Sequence, residues 1–126
     1  MKRQSNNLKR EMLENGGYKE SRYYDCNCNK KDCVVYVDSI GLWHREDGPA
    51  YIGFSNNIVM YIEYCVNNKL HRINGPASIV YYKSGEIKNE RYFINNIEYS
   101  KEEFYKQPEV IKCRNINRNL KLLNKF

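Results

Sequence analysis

No stretch of this chain is apolar for long enough to span a bilayer, so a membrane is not among its expected partners. The opening residues, Met1 to Asn7, lack the apolar core of a secretory signal. The expectation is an intracellular protein, in a host cytoplasm or a virion if its source is viral, and not a secreted one. A Gly-rich phosphate loop, a nucleophile elbow and a zinc-protease motif are all missing. No cofactor and no enzymatic activity are therefore expected. Lysine and arginine are numerous but dispersed, with no dense basic run. Cysteine totals five, an odd number, and an intracellular setting disfavours disulfides.

What the chain does contain is a phrase that occurs twice. Leu42-Trp43-His44-Arg45-Glu46-Asp47-Gly48-Pro49-Ala50 returns as Lys69-Leu70-His71-Arg72-Ile73-Asn74-Gly75-Pro76-Ala77, 27 positions on. Tyr64 to Asn68 likewise aligns with Tyr92 to Asn96 at an offset of 28, one residue having entered at the turn Lys83-Ser84-Gly85. A fixed period implies stacked copies of one supersecondary unit. Each unit reads as strand, turn, strand, turn. Ala50 to Phe54, Ile58 to Val66, Ala77 to Tyr82 and Ile87 to Ile94 are rich in β-branched and aromatic residues. Asn67-Asn68 and Asn95-Asn96 stand where tight turns need positive φ, which asparagine tolerates. Ala50 and Ala77 are small where neighbouring units approach. Cys33 to Asp38 suits the last strand of a degraded first unit. A third His-Arg is absent, as fits a terminal repeat that ends the stack.

The phrase, followed by aromatic hairpins and an Asn-Asn turn, resembles a degenerate MORN repeat over roughly residues 34 to 105. Such repeat proteins are common in bacteriophages and giant DNA viruses, and the frequency of Asn, Lys, Ile and Tyr fits an AT-rich genome of that kind. The resemblance implies a mainly β fold of antiparallel hairpin repeats in one continuous meander sheet. It implies a binding surface rather than an active site: a non-enzymatic, viral interaction module with a protein partner.

Charge divides the chain into three. Residues 1–31 carry +4, residues 32–105 carry −3 and residues 106–126 carry +5. These are read as a basic, partly helical N-terminal flank, the MORN-like domain, and a basic amphipathic C-terminal helix. Leu8, Met12 and Leu13 suggest one short helix stopped by Gly16-Gly17. Ser100-Lys101-Glu102-Glu103 forms a capping box, with Phe104 and Tyr105 folding back on the last repeat. Pro108 suits the first turn of a second helix, along which Val110, Cys113, Ile116, Leu120 and Leu123 form an apolar stripe broadened by Leu122 and Phe126. The stripe is expected to cap the open sheet edge; docking to a partner or to another copy of the chain is the competing reading. The basic ends and the abundant tyrosines make nucleic acid or a nucleotide an alternative ligand, against the reading that they are solvated flanks.

The candidate binding residues are Trp43, His44, Arg45, His71, Arg72, Tyr82 and Tyr92. The paired histidines and arginines either line one surface for an anionic ligand or bond neighbouring turns into a ladder along the stack. Asp47 becomes Asn74 in the second copy, so the histidines share no carboxylate for acid–base work. No metal site is expected, the weak alternative being zinc on Cys26, Cys28 and Cys33 with a fourth ligand from Cys65, Cys113, His44 or His71. The Cys-x-Cys spacing pinches that geometry.

Overall fold

The computed structural model describes residues 7–24 and 30–124. Its elements run β1 (Leu8–Met12), β2 (Tyr18–Tyr23), β3 (Lys31–Val37), β4 (Tyr51–Ser55), β5 (Ile58–Glu63), β6 (Cys65–Val66), β7 (Lys69–Leu70), β8 (Ser78–Tyr81), β9 (Ile87–Ile94), β10 (Ile97–Tyr99), α1 (Lys101–Phe104) and α2 (Pro108–Leu123). Eight strands form one antiparallel sheet in the order β1-β2-β3-β4-β5-β8-β9-β10, and β6 and β7 make a separate small hairpin. The expected mainly β meander with C-terminal helices is the observed architecture.

The expected N-terminal helix is not. Leu8–Met12 is a strand paired residue for residue with β2, and the described part of the N-terminal flank is continuous with the sheet. Five residues are too few for a self-sufficient helix, whose nucleation outweighs one turn of hydrogen bonds. Pairing with β2 supplies backbone partners and sets Arg10 opposite Glu20 and Glu11 opposite Lys19. The charged side chains of β1 also guard the free edge of the sheet.

Asn56-Asn57, Asn67-Asn68 and Asn95-Asn96 occupy three two-residue turns, with φ between 48° and 70°. Positive φ at both central residues gives the turn twist that matches paired strands. Across the middle of the sheet, Val34, Ile52, Ile62 and Ile79 are direct neighbours on successive strands and form one aliphatic row. The opposite face carries Cys33, Val35 and Val37, packed with Tyr18, Trp43 and Tyr51. Ala50 and Ala77 are fully buried, and each backbone hydrogen bonds to strands on both sides: Tyr36 and Glu63 for the first, Tyr64 and Arg91 for the second.

The far end of the stack explains the missing third phrase. Tyr36, Tyr64 and Tyr92 recur at intervals of 28. The first two each carry an arginine of the phrase on the ring face, Arg45 and Arg72, both at 3.9 Å. Tyr92 instead meets Phe104 at 4.8 Å and Tyr105 at 5.9 Å between ring centroids. The Ser100 side chain accepts from the Glu103 amide and starts α1 as the capping box requires. The helical turn therefore places two aromatic rings where another repeat would place a guanidinium, and so closes the stack.

At the other end Glu20 is buried and receives Nε of Arg10 at 2.8 Å and Nε of Arg22 at 2.6 Å. Burial alone would raise its pKa, but the two arginine hydrogen bonds outweigh this and hold it below the usual 4.5. A carboxyl whose folded pKa lies below its unfolded value contributes stability above the unfolded value, and that contribution is lost as pH falls through the folded one. Thermal midpoints should therefore fall below about pH 4.5, and Glu20→Gln should flatten this dependence. Equal pH profiles for the two chains would disconnect Glu20 from acid lability.

Candidate functional site

The repeated phrase is a staple, and almost every residue type in it has a geometric reason. Nδ1 of His44 accepts from the Asn67 amide at 3.1 Å, and Nδ1 of His71 from the Asn95 amide at 3.1 Å. An amide donor at Nδ1 puts the ring proton of the neutral imidazole on Nε2 in both copies. The residue before each histidine closes a two-bond ring with the same Asn-Asn turn. Trp43 N donates to Asn68 Oδ1 while its carbonyl accepts from Asn68 N; Leu70 and Asn96 repeat the arrangement. Each phrase is thereby tied to the turn one unit further along.

The arginines tie the phrase to itself. Arg45 donates through Nε to Asp47 at 3.0 Å and through Nη1 to the Pro49 carbonyl at 3.1 Å. Arg72 donates to Asn74 Oδ1 at 2.9 Å and to the Pro76 carbonyl at 3.0 Å. A Cβ on Gly48 would sit 2.7 Å from Arg45 Cζ, and one on Gly75 3.0 Å from Arg72 Cζ. Glycine is thus required by the close approach of the guanidinium. The tyrosines beneath the arginines were not among the residues singled out from the sequence. Their signal is the 28-residue spacing that links Tyr36 to Tyr64 and Tyr92.

The two copies differ in charge. In the first, Glu46 lies 3.1 Å from His44 Nε2 and Asp47 neutralises Arg45. In the second, the matching positions are Ile73 and Asn74, so neither carboxylate is present. Between the copies lies an open groove of about 520 Å³, lined by Arg45, Tyr64, His71, Arg72, Asn74 and Cys113 among others.

The structure gathers only part of the expected set. His71, Arg45 and Arg72 border this groove, while His44 lies on the neighbouring face with Tyr36 and Glu46. Trp43 stacks on Tyr51 at 5.2 Å within the sheet's packing. Tyr92 is buried beneath α1. Tyr82 is half exposed in the turn between β8 and β9.

Cys26 and Cys28 lie outside the described residues. Cys33 and Cys65 are buried, and burial raises both thiols, that of Cys65 to about 11. They are protonated packing groups at neutral pH. Among the described residues no three His, Cys, Asp or Glu side chains converge as metal ligands.

Helix α2 departs from the expected cap. Its first turn docks, with Pro108 at the N-terminus and Val110 fully buried against Phe104 and Tyr92. Beyond that turn the stripe is uncovered: Ile116, Leu120 and Leu123 are 50, 53 and 68 % exposed. Cys113 is half buried and borders the groove between the two phrases. At 100° per residue, Leu122 falls away from the stripe rather than broadening it, and Phe126 lies outside the described residues. Among the described residues no helix is long and apolar enough to cross a membrane.

No protein-family model, curated protein or solved structure matches the chain.

Proposed function

We propose that the chain is a non-enzymatic, MORN-like interaction module that joins to a second copy of itself through α2. The observation that carries this reading is the exposed stripe on a helix anchored through its first turn. Cys113, Ile116, Leu120 and Leu123 are spaced three, four and three apart, the a-d-a-d seam of a coiled coil. The positions flanking that seam are Lys112, Asn117, Asn119 and Asn124, mostly neutral. Arg114, Arg118 and Lys121 fall at outer positions. Two such helices can therefore approach seam to seam without setting their main cationic residues against each other, despite the basic character of the region. The two-fold pairing is self-complementary and closes as a dimer.

The His-Arg phrases support the same reading from the other side. Their polar atoms serve the stapling of turn to turn, and the copies hold no shared histidine–carboxylate pair. The β-ladder acts as a rigid mount for the arm.

Two heptads make a small contact, so dimerisation should be weak, with Kd of roughly 10–100 µM. Sedimentation velocity over a wide concentration range should show a monomer–dimer equilibrium. Leu120→Asp should leave the chain folded and monomeric throughout, because Leu120 touches none of the sheet's core. A wild-type chain that stays monomeric well above this range, or a Leu120→Asp chain that dimerises equally well, overturns the proposal.

A further inference from the structure

A second feature of α2 is independent of its apolar seam. Beside the seam, which Asn117 flanks, a cavity of about 430 Å³ is lined by Asn74, Lys101, Tyr105, Arg114 and Asn117. Among the described residues no carboxylate lines it. Arg114 is held in place, its guanidinium 5.0 Å over the Tyr105 ring, while Lys101 stands at the start of α1. Among the described residues neither cation forms an ion pair. Arginine can only donate, so the Asn74 atom that Arg72 contacts is the carbonyl oxygen, and the NH2 group is the other terminus. Two cations, two amides and a tyrosine line a polar pocket of positive charge.

The pocket also opens onto a track. At 100° per residue, Arg118 and Lys121 fall within about 40° of Arg114 around the helix, at successive rises of about 6 and 4.5 Å. All three are exposed. The Glu46 and Asp47 carboxylates of the first copy line the adjoining groove with Asn74 and are not among the residues that line this pocket. A pocket for one oxyanion that continues as a line of cations matches a ligand with regularly spaced negative charges better than a single small anion. From this geometry we infer that Asn74, Lys101, Arg114, Arg118 and Lys121 bind the phosphodiester backbone of a nucleic acid, one phosphate seated in the pocket and its neighbours along α2.

The test is fluorescence anisotropy with a labelled single-stranded oligonucleotide of mixed sequence, on the full chain. Binding should weaken with salt at a slope of log K against log salt of about −2 to −3, as three or four phosphate contacts require. Lys101→Gln with Arg114→Gln should lower affinity by more than tenfold and reduce that slope. Both side chains are exposed and form no ion pair among the described residues, so the variant should fold. Leu120→Asp, which addresses the dimer seam, should bind the oligonucleotide as the wild type does, so failure of self-association leaves this inference standing. No binding at low salt, undiminished binding by the double variant, or equal competition by polyglutamate of matched charge would each overturn it.

Discussion

Phe104→Ala should lower stability by about 3–5 kcal/mol, the range for emptying a fully buried phenylalanine site. Phe104 is fully buried and contacts Tyr92 and Tyr105, at 4.8 and 5.0 Å between ring centroids. Val110 and Ile94 complete the cluster. Ile73, Tyr99 and Tyr105 pack around this cluster, which joins α1 and the first turn of α2 to β9, so refilling the space would require α1 to move. A loss of this size corresponds to a thermal midpoint lower by about 10 °C or more for a chain of this length. The damage should be uneven. A stacked fold is stabilised by nearest-neighbour contacts, so hydrogen exchange should accelerate in β9, β10 and α2 while β2 to β4 keep their protection. Phe104→Leu should recover much of the loss. Uniform exchange along the chain, or a loss under about 1 kcal/mol, would show that α1 is not the cap.

Gly17→Ala should be nearly as damaging, for the opposite reason. A Cβ on Gly17 would lie 2.0 Å from the carbonyl oxygen of Val37 and 2.9 Å from Cα of Asp38. These are backbone atoms at the end of β3 and cannot swing aside. The loop cannot retreat either, since the Gly17 amide donates to Asn15 Oδ1 at 2.8 Å and its carbonyl accepts from Leu13 N at 2.9 Å. One surplus methyl must then push β2 from β3, at a cost of about 3 kcal/mol. Chemical denaturation of the two chains measures it. A midpoint unchanged by the methyl would sink the claim of close approach.

Repetition could be read directly from the residues because its causes are local. The Asn-Asn turns need side chains that accept positive φ, and Asp47-Gly48 and Asn74-Gly75 are turn dipeptides. Ser100 must cap a helix that starts one residue later. In each, the residue type and its neighbours in sequence carry the constraint, so the strand–turn units and the capping turn were legible before any coordinates. The binding residues were less so. Trp43 and Tyr92 resemble exposed aromatics in a strand pattern, and only packing shows one stacked on Tyr51 and the other beneath α1.

The chain by itself determined the period, the hairpin turns and the polarity of α2, all set by interactions within a few residues. Tertiary structure decided two further matters. Residues 8–12 became a strand because a five-residue helix cannot sustain itself, whereas β2 offers a full row of backbone partners. The stripe on α2 stayed exposed because Phe104 and Val110 anchor only its first turn. Amphipathic spacing fixes which side of a helix is apolar, but packing against the rest of the chain fixes whether that side is covered.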